Sequence, residues 1–258
     1  FVGSVLALEP RPEPVEGLDA RQLGNLYHRI LEAVYRAVPA EARTDAEALN
    51  EALPEIAKRI MDAAPVEEGF RATAWWEQTR AEIEEKVARS LEALSALDDG
   101  FVPVAFEAGF FGGEALTVHR DGDSFRLHGL IDRVDRAPDG RIRIVDYKTA
   151  GPAKFGPSAL DKGEKLQLPL YARAAVEALE LGEVADGFYW HVQHGEASRL
   201  KLATYGVEAA IERATAYAWE VVQRVRQGDF EPSPPAGGCP DYCPAAAFCW
   251  RYEARRSW

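Results

Sequence analysis

The chain has 258 residues, 47% hydrophobic and 28% charged, enough for a sizeable core in one large domain or two small ones. Its formal charge of -12 argues against a generally basic nucleic-acid coat and suits an enzyme that holds cations with carboxylates. No run approaches the roughly 18 apolar residues of a membrane span and no signal-peptide layout is present, so a soluble, cytoplasmic protein without a membrane partner is expected.

The first residue is Phe1 rather than Met, and "FVGSVLALEP" reads as the tail of a helix, which suggests a piece of something longer. From 18 to 38, apolar residues at Leu23, Leu26, Ile30, Leu31, Val34 and Val38 follow the helical period. Residues from about 44 to 97 continue as helical segments interrupted by Pro54, Pro65 and Gly69. The texture then turns to β: "FVPVAFEAGF", "EALTVH", "SFRLHGLIDRVDR" and "RIRIVDYKT" alternate with period two. A loop bearing Gly, Pro and Lys (150–164) leads to a helix around 165–181, with Pro169 in its first turns. "ADGFYWHVQ" and "SRLKLATY" read as strands, and "VEAAIERATAYAWEVVQRVRQG" reads as a long helix. This order predicts an α/β fold, a short mixed sheet with helices on its faces. The chain is expected to be a single domain over 1–258, with a helical insertion at 39–98 and a cysteine-bearing tail at 231–258.

The stretch "GLIDRVDRAPDGRIRIVDYKT" (129–149) carries the chemistry. "APDGR" suits a three-residue hairpin loop, Pro138 preset for a turn and Gly140 able to take the left-handed conformation. If Ala137 faces Arg141, paired residue numbers sum to 278 and Asp132 lies opposite Asp146. Opposed residues of an antiparallel pair share a face with Cβ atoms about 4.5 to 5.5 Å apart. Two carboxylates that close repel unless one is protonated or a cation lies between them. Ile142, Ile144, Asp146 and Lys148 share that face by the two-residue period. A divalent, oxygen-loving ion held by both acids, with Lys148 beside the second, points to phosphodiester hydrolysis. The alternative is a plain charge ladder in which Asp132 pairs with Arg133 or Arg143, and Asp146 with Lys148.

The set "GNLYHRIL", "GLIDRVD", "IVDYKT" and "QLPLY" resembles the PD-(D/E)xK nuclease superfamily, in particular its RecB/AddB-type exonuclease branch, to which the CRISPR-adaptation Cas nucleases also belong. The resemblance runs from His28 to Cys249 with no matching motif between about 40 and 98. It implies a restriction-endonuclease-like fold, a mixed central sheet flanked by helices. It also implies that His28, Asp132, Asp146 and the backbone carbonyl of Tyr147 ligate Mg²⁺ or Mn²⁺, with Lys148 the catalytic lysine. Gln167 and Tyr171 match its downstream motif and, four apart on a helix, share a face. Taken alone, His28 is also readable as a helix-edge histidine satisfied by a carbonyl. Gly24, one turn earlier, bares the surface His28 would lean over. Glu107 matches an acidic position of this branch, either behind the metal ligands or in a structural ion pair. His119, His128, His191 and His194 match no motif.

Cys239, Cys243 and Cys249 are the chain's only cysteines and cluster near its end, a pattern that favours metal over disulfide. Three thiolates are one short of four. By resemblance they belong to an iron–sulfur cluster whose fourth cysteine would lie upstream of Phe1, although three residues separate the first pair here where the branch usually has two. Zinc is the alternative, and free thiols the plain reading. Arg251, Arg255 and Arg256, with Lys154, Lys162 and Lys165, are candidate phosphate contacts or ordinary solvated charge, and Trp250 and Tyr252 either pack over the cysteine knot, the favoured reading, or stack on bases. The expected activity is a metal-dependent DNA exonuclease of recombination and repair, acting on single-stranded DNA or DNA ends with a helicase subunit or domain. The alternatives are a non-cleaving DNA-end-binding module and a CRISPR spacer-processing nuclease.

Overall fold

The computed structural model describes residues 17–97, 99–232, 234, 238, 239, 243 and 245–253. Those up to Glu220 belong to one compact unit, and those from Val221 onward to a second.

The first unit begins with α1 (Ala20–Ala37), where Asp19 and Gln22 form a reciprocal capping box that satisfies the first free amides. Leu26, Ile30, Leu31 and Val34 form its fully buried stripe. Next come α2 (Ala46–Glu67) and α3 (Trp76–Ser95). Pro54 and Pro65 do not interrupt the chain as the sequence suggests, for both lie inside α2. Pro54 is on the exposed side and Pro65 in the last turns, while Leu49, Leu53, Ile56, Ile60 and Met61 are buried along the packed face. That packing outweighs the ~3 kcal/mol a proline costs within a helix. The break comes at Gly69, in the left-handed region at φ 72°.

The strands are β1 (Val102–Phe110), β2 (Leu116–Arg120), β3 (Asp123–Leu127), β4 (Gly129–Arg136) and β5 (Ile142–Lys148). The run "SFRLHGLIDRVDR" is thus two strands divided at His128, and β3 pairs only with β2 in a separate two-stranded sheet. After the β4–β5 hairpin the 150–164 segment is not a plain loop but contains the short helix α4 (Pro157–Asp161). The remaining elements are α5 (Gln167–Glu177), β6 (Val184–His191), β7 (Glu196–Lys201), α6 (Leu202–Tyr205) and α7 (Val207–Arg226). "SRLKLATY" leaves strand geometry at Lys201, because the Asp186 carboxylate accepts from the Ala203 amide at 2.8 Å and holds the chain in a helical turn.

The main sheet has the order β1-β4-β5-β6-β7, antiparallel except between β5 and β6, so the expected mixed sheet flanked by helices is present. One face, through Val145, Tyr147, Phe188 and Trp190, shares a single core with α1, α2 and α3. The other carries Ile142 and Ile144 and receives α5. Gly187 makes that seat: a Cβ there would stand 2.9 Å from Leu202 and 3.3 Å from Leu168. The hairpin register sums to 278 from Arg136/Ile142 through Arg133/Val145, with Gly140 at φ 88° in the loop.

In the second unit the Cys239 amide donates to the Glu253 carbonyl at 2.6 Å, closing the cysteine-bearing segment on itself. The expected helical tail at "FVGSVLALEP", and with it any upstream fourth cysteine, lies outside the described residues.

Candidate active site

Where β4 and β5 run out of ladder, apolar pairing gives way to acid. Asp146 is fully buried and Asp132 is 7% exposed. One step beyond the Arg133/Val145 pair, Asp132 Oδ2 accepts from the Tyr147 amide at 2.6 Å, so the carboxylate itself continues the hairpin. The Lys148 ammonium is in ion-pair contact with Asp146. Beyond that contact, neither buried Asp146 oxygen has a hydrogen-bond donor. Lys148 Nζ donates to Gln167 Oε1 at 3.0 Å, and Gln167 Nε2 donates to the Tyr171 hydroxyl at 2.7 Å. The Tyr171 ring packs edge-on against Phe110, centroids 5.8 Å apart. The first turn of α5 therefore steers the lysine through an amide relay.

From the other face of the sheet, α1 brings His28. Its Nε2 donates to the Tyr147 carbonyl at 3.1 Å, and its Nδ1 stands 3.5 Å from Asp132 Oδ1. The two readings of His28 coincide, since the carbonyl that satisfies it is one of the expected ligands. Gly24 is not required sterically for this approach, as a Cβ there would make ordinary 3.8 Å contact with Thr149. Glu107 completes a group with His28 and Asp132 in which one ligand atom from each lies within 4.8 Å of the others, the one such group among the described residues. It stands in β1 with φ 49°, a left-handed conformation disfavoured for a side-chain-bearing residue. The sequence offered Glu107 by resemblance, either behind the metal ligands or in a structural ion pair, but not its backbone conformation, because an irregularity of that kind is not written in residue type.

The electrostatics are those of crowded acids. Burial first, and then the charge of Asp132, push the Asp146 carboxyl up to about 7 against the pull of Lys148. Burial, with Asp132 again, raises Glu107 to about 7. Burial opposes charge on His28, but the Asp132 hydrogen bond and the charges of Asp132, Asp146 and Glu107 outweigh it, and its pKa ends above the ordinary value. The Asp146 oxygens, which have only the Lys148 contact, the Asp132 carboxylate, an imidazole and the carbonyl it bonds form a donor set that suits a hard divalent cation.

The charge-ladder alternative is half realised. Asp146 does pair with Lys148. Arg133 and Arg143, however, are on the opposite face and both bind the fully buried Asp135, Arg143 also reaching Asp99 and Arg133 the Tyr35 hydroxyl at 2.8 Å. Asp132 is left to the site. Among the other candidates, Lys165 is partly buried, Lys154 and Lys162 are exposed, and Arg251 is ion-paired with Glu231. Arg255 and Arg256 lie outside the described residues. The three cysteines are free thiols, Cys239 buried, and do not gather within single-ion distance. His191, which matches no motif, is fully buried.

A profile of the PD-(D/E)XK nuclease superfamily matches residues 1–250. One subunit of the ATP-dependent helicase/deoxyribonuclease of Moorella thermoacetica is 34% identical over 150 residues, 53% of this chain and 13% of that protein. The protein of the same name from Geobacillus thermodenitrificans is 31% identical over 52% of this chain and 12% of its own length. That from Streptococcus equi subsp. zooepidemicus is 30% identical over 210 residues, 80% of this chain and 17% of its own. The chain thus spans about a sixth or less of these relatives. The superfamily match takes in the mixed sheet, the acidic hairpin and the lysine relay alike, and the chain belongs to the PD-(D/E)XK nuclease superfamily.

Proposed function

We propose that this chain is the nuclease part of a larger helicase-linked protein, hydrolysing DNA phosphodiester bonds in recombination and repair with Mg²⁺ or Mn²⁺. The observation that carries it is the meeting of Asp132, Asp146, Lys148, His28 and the Tyr147 carbonyl at one end of the hairpin. The names of the relatives support the helicase partner and the DNA substrate. Single strands or DNA ends suit an exonuclease-type activity.

Asp132, Asp146, His28 and the Tyr147 carbonyl would hold the ion, with Glu107 as a further or water-bridged ligand. The ion supplies charge against the phosphate oxygens and acidity to the attacking water. Lys148, fixed between Asp146 and Gln167, offers its ammonium to the negative charge that grows on the scissile phosphate. Gln167 and Tyr171 keep that ammonium in place. The cysteines take no part in hydrolysis. Their clustering near the end of the chain, with the family likeness, supports an iron–sulfur cluster whose fourth ligand is supplied from elsewhere, with zinc as the alternative.

The test is degradation of end-labelled single-stranded DNA with Mg²⁺ or Mn²⁺. Asp146→Ala and Lys148→Ala are expected to lose about 10²-fold or more. Equal degradation by wild type and both variants would overturn the assignment, and binding without cleavage by the wild type would favour an end-binding module.

A further inference from the structure

We infer that Lys165 is a second phosphate-binding residue of this site, gripping the DNA strand at a phosphate other than the scissile one. The inference rests on the nuclease reading and adds a contact to it.

Lys165 precedes α5 by two residues, next to the lysine-steering Gln167. Its Nζ sits over the ring of Phe155, 4.2 Å from the centroid. Phe155 is 5% exposed and packs edge-on against Tyr189 at 5.0 Å and His191 at 4.8 Å. Tyr189 in turn lies beneath Lys148, whose Nζ is 5.5 Å from its centroid. A buried aromatic pair therefore carries an ammonium on each side, the site lysine over one ring and Lys165 over the other. Tyr189 also locks the backbone: its hydroxyl donates to the Lys165 carbonyl at 3.3 Å and accepts from the Leu168 amide at 3.1 Å.

This arrangement works against the fold. Desolvation first, then the like charges of Lys148 and Lys154, hold the Lys165 ammonium below its ordinary pKa, and Glu164 compensates only in part. No carboxylate forms an ion pair with it among the described residues, whereas Lys148 has Asp146. Two neighbouring cations over a shared hydrophobic base call for more than one anion, and a polyphosphate strand supplies them in series. An unpaired, half-buried lysine beside a lysine of the chemistry is explained by a ligand more readily than by stability. Lys154 and Lys162 are exposed and carry no such signature.

The experiment uses the whole chain and fluorescein-labelled single-stranded oligonucleotides in EDTA, where no divalent ion supports hydrolysis, with Kd measured across a KCl series. Lys165→Met keeps an unbranched stem and a sulfur–aromatic contact with Phe155 while removing the charge. It is expected to bind several-fold more weakly, by the same factor on different sequences, with the slope of log affinity against log salt reduced by about 0.7. Lys165→Arg is expected to restore both. If Met does not keep the wild-type melting temperature, Lys165→Gln carries the same test. Wild-type affinity and slope in the charge-removing variant would overturn this inference and leave the nuclease reading standing. A wild-type chain that neither binds nor cuts DNA would remove both.

Discussion

His28 Nε2 donates to the carbonyl of Tyr147 across 3.1 Å, so the first helix is joined to the strand that ends in Asp146 and Lys148. The same ring faces Asp132 with its other nitrogen. Two groups assigned as ligands thus hold each other, and a divalent ion binding there must exchange that contact for its own. Ligation that favours the folded state stabilises it by mass action, about 2.7 kcal/mol at a hundred times Kd. Mn²⁺ or Mg²⁺ is therefore expected to raise the melting temperature of the wild type by several degrees and of Asp146→Ala hardly at all. An equal rise in both would place the ion elsewhere.

The pH dependence without metal has a definite sign. Asp146 and Glu107 are both held up to about 7, chiefly by burial. Between about pH 4 and 7 the folded chain keeps protons the unfolded chain has lost, so stability is complete below the ordinary carboxylate range and falls as pH rises through about 7. Asp146→Asn cannot ionise. In EDTA its unfolding free energy is expected to draw ahead of wild type from pH 5 to about 7 and then level off, by on the order of a few kcal/mol at the plateau. Parallel curves would contradict this. With Mn²⁺ the trend reverses for the wild type, because the ion competes with those protons and binds better as pH rises.

Glu107 keeps a side chain at φ 49°, a conformation costing about 1 to 2 kcal/mol that glycine would not incur. It also crowds Asp132 with like charge. Glu107→Gly is expected to melt at or above wild type in EDTA while cleavage falls about tenfold or more and half-saturation by Mn²⁺ moves higher. Retained activity would mark Glu107 as scaffolding.

The relay to Lys148 predicts a graded series. Tyr171→Phe leaves Gln167 Nε2 without its acceptor but keeps Oε1 available to the lysine, so kcat should drop about tenfold with KM steady. Gln167→Ala removes the acceptor at 3.0 Å and should cost more. The reverse order would mean that Tyr171 meets DNA directly.

How much of this was legible follows from what each signal encodes. The hairpin register came from one loop, since Pro138 and Gly140 fix where pairing starts and a period of two does the rest. The stripe of α1 was likewise local. Pro54 and Pro65 misled because a helix packed along its whole length tolerates what an isolated one does not. The split at His128 could not be seen, for alternation continues through it while the pairing partner changes. The left-handed backbone of Glu107 and the aromatic base under the two lysines depend on a strand irregularity and on contacts between β6 and the 150–164 segment, which no spacing announces.

The clearest contrast lies along the hairpin itself. Asp135 and Asp146 are both fully buried acids, on opposite faces of the sheet. Asp135 accepts from both Arg133 and Arg143, each 3% exposed. Removing it would leave two buried guanidinium groups short of their anion, so Asp135→Ala should lose about 3 to 5 kcal/mol. Asp146 has only Lys148 against its burial and the charge of Asp132, and neutralising it should stabilise the metal-free chain. Paired urea unfolding at pH 7.5 in EDTA reads both, as a midpoint shifted down for Asp135→Ala and up for Asp146→Asn. If both fell together, Asp146 would be part of the scaffold, and the strain assigned to the metal site would not exist.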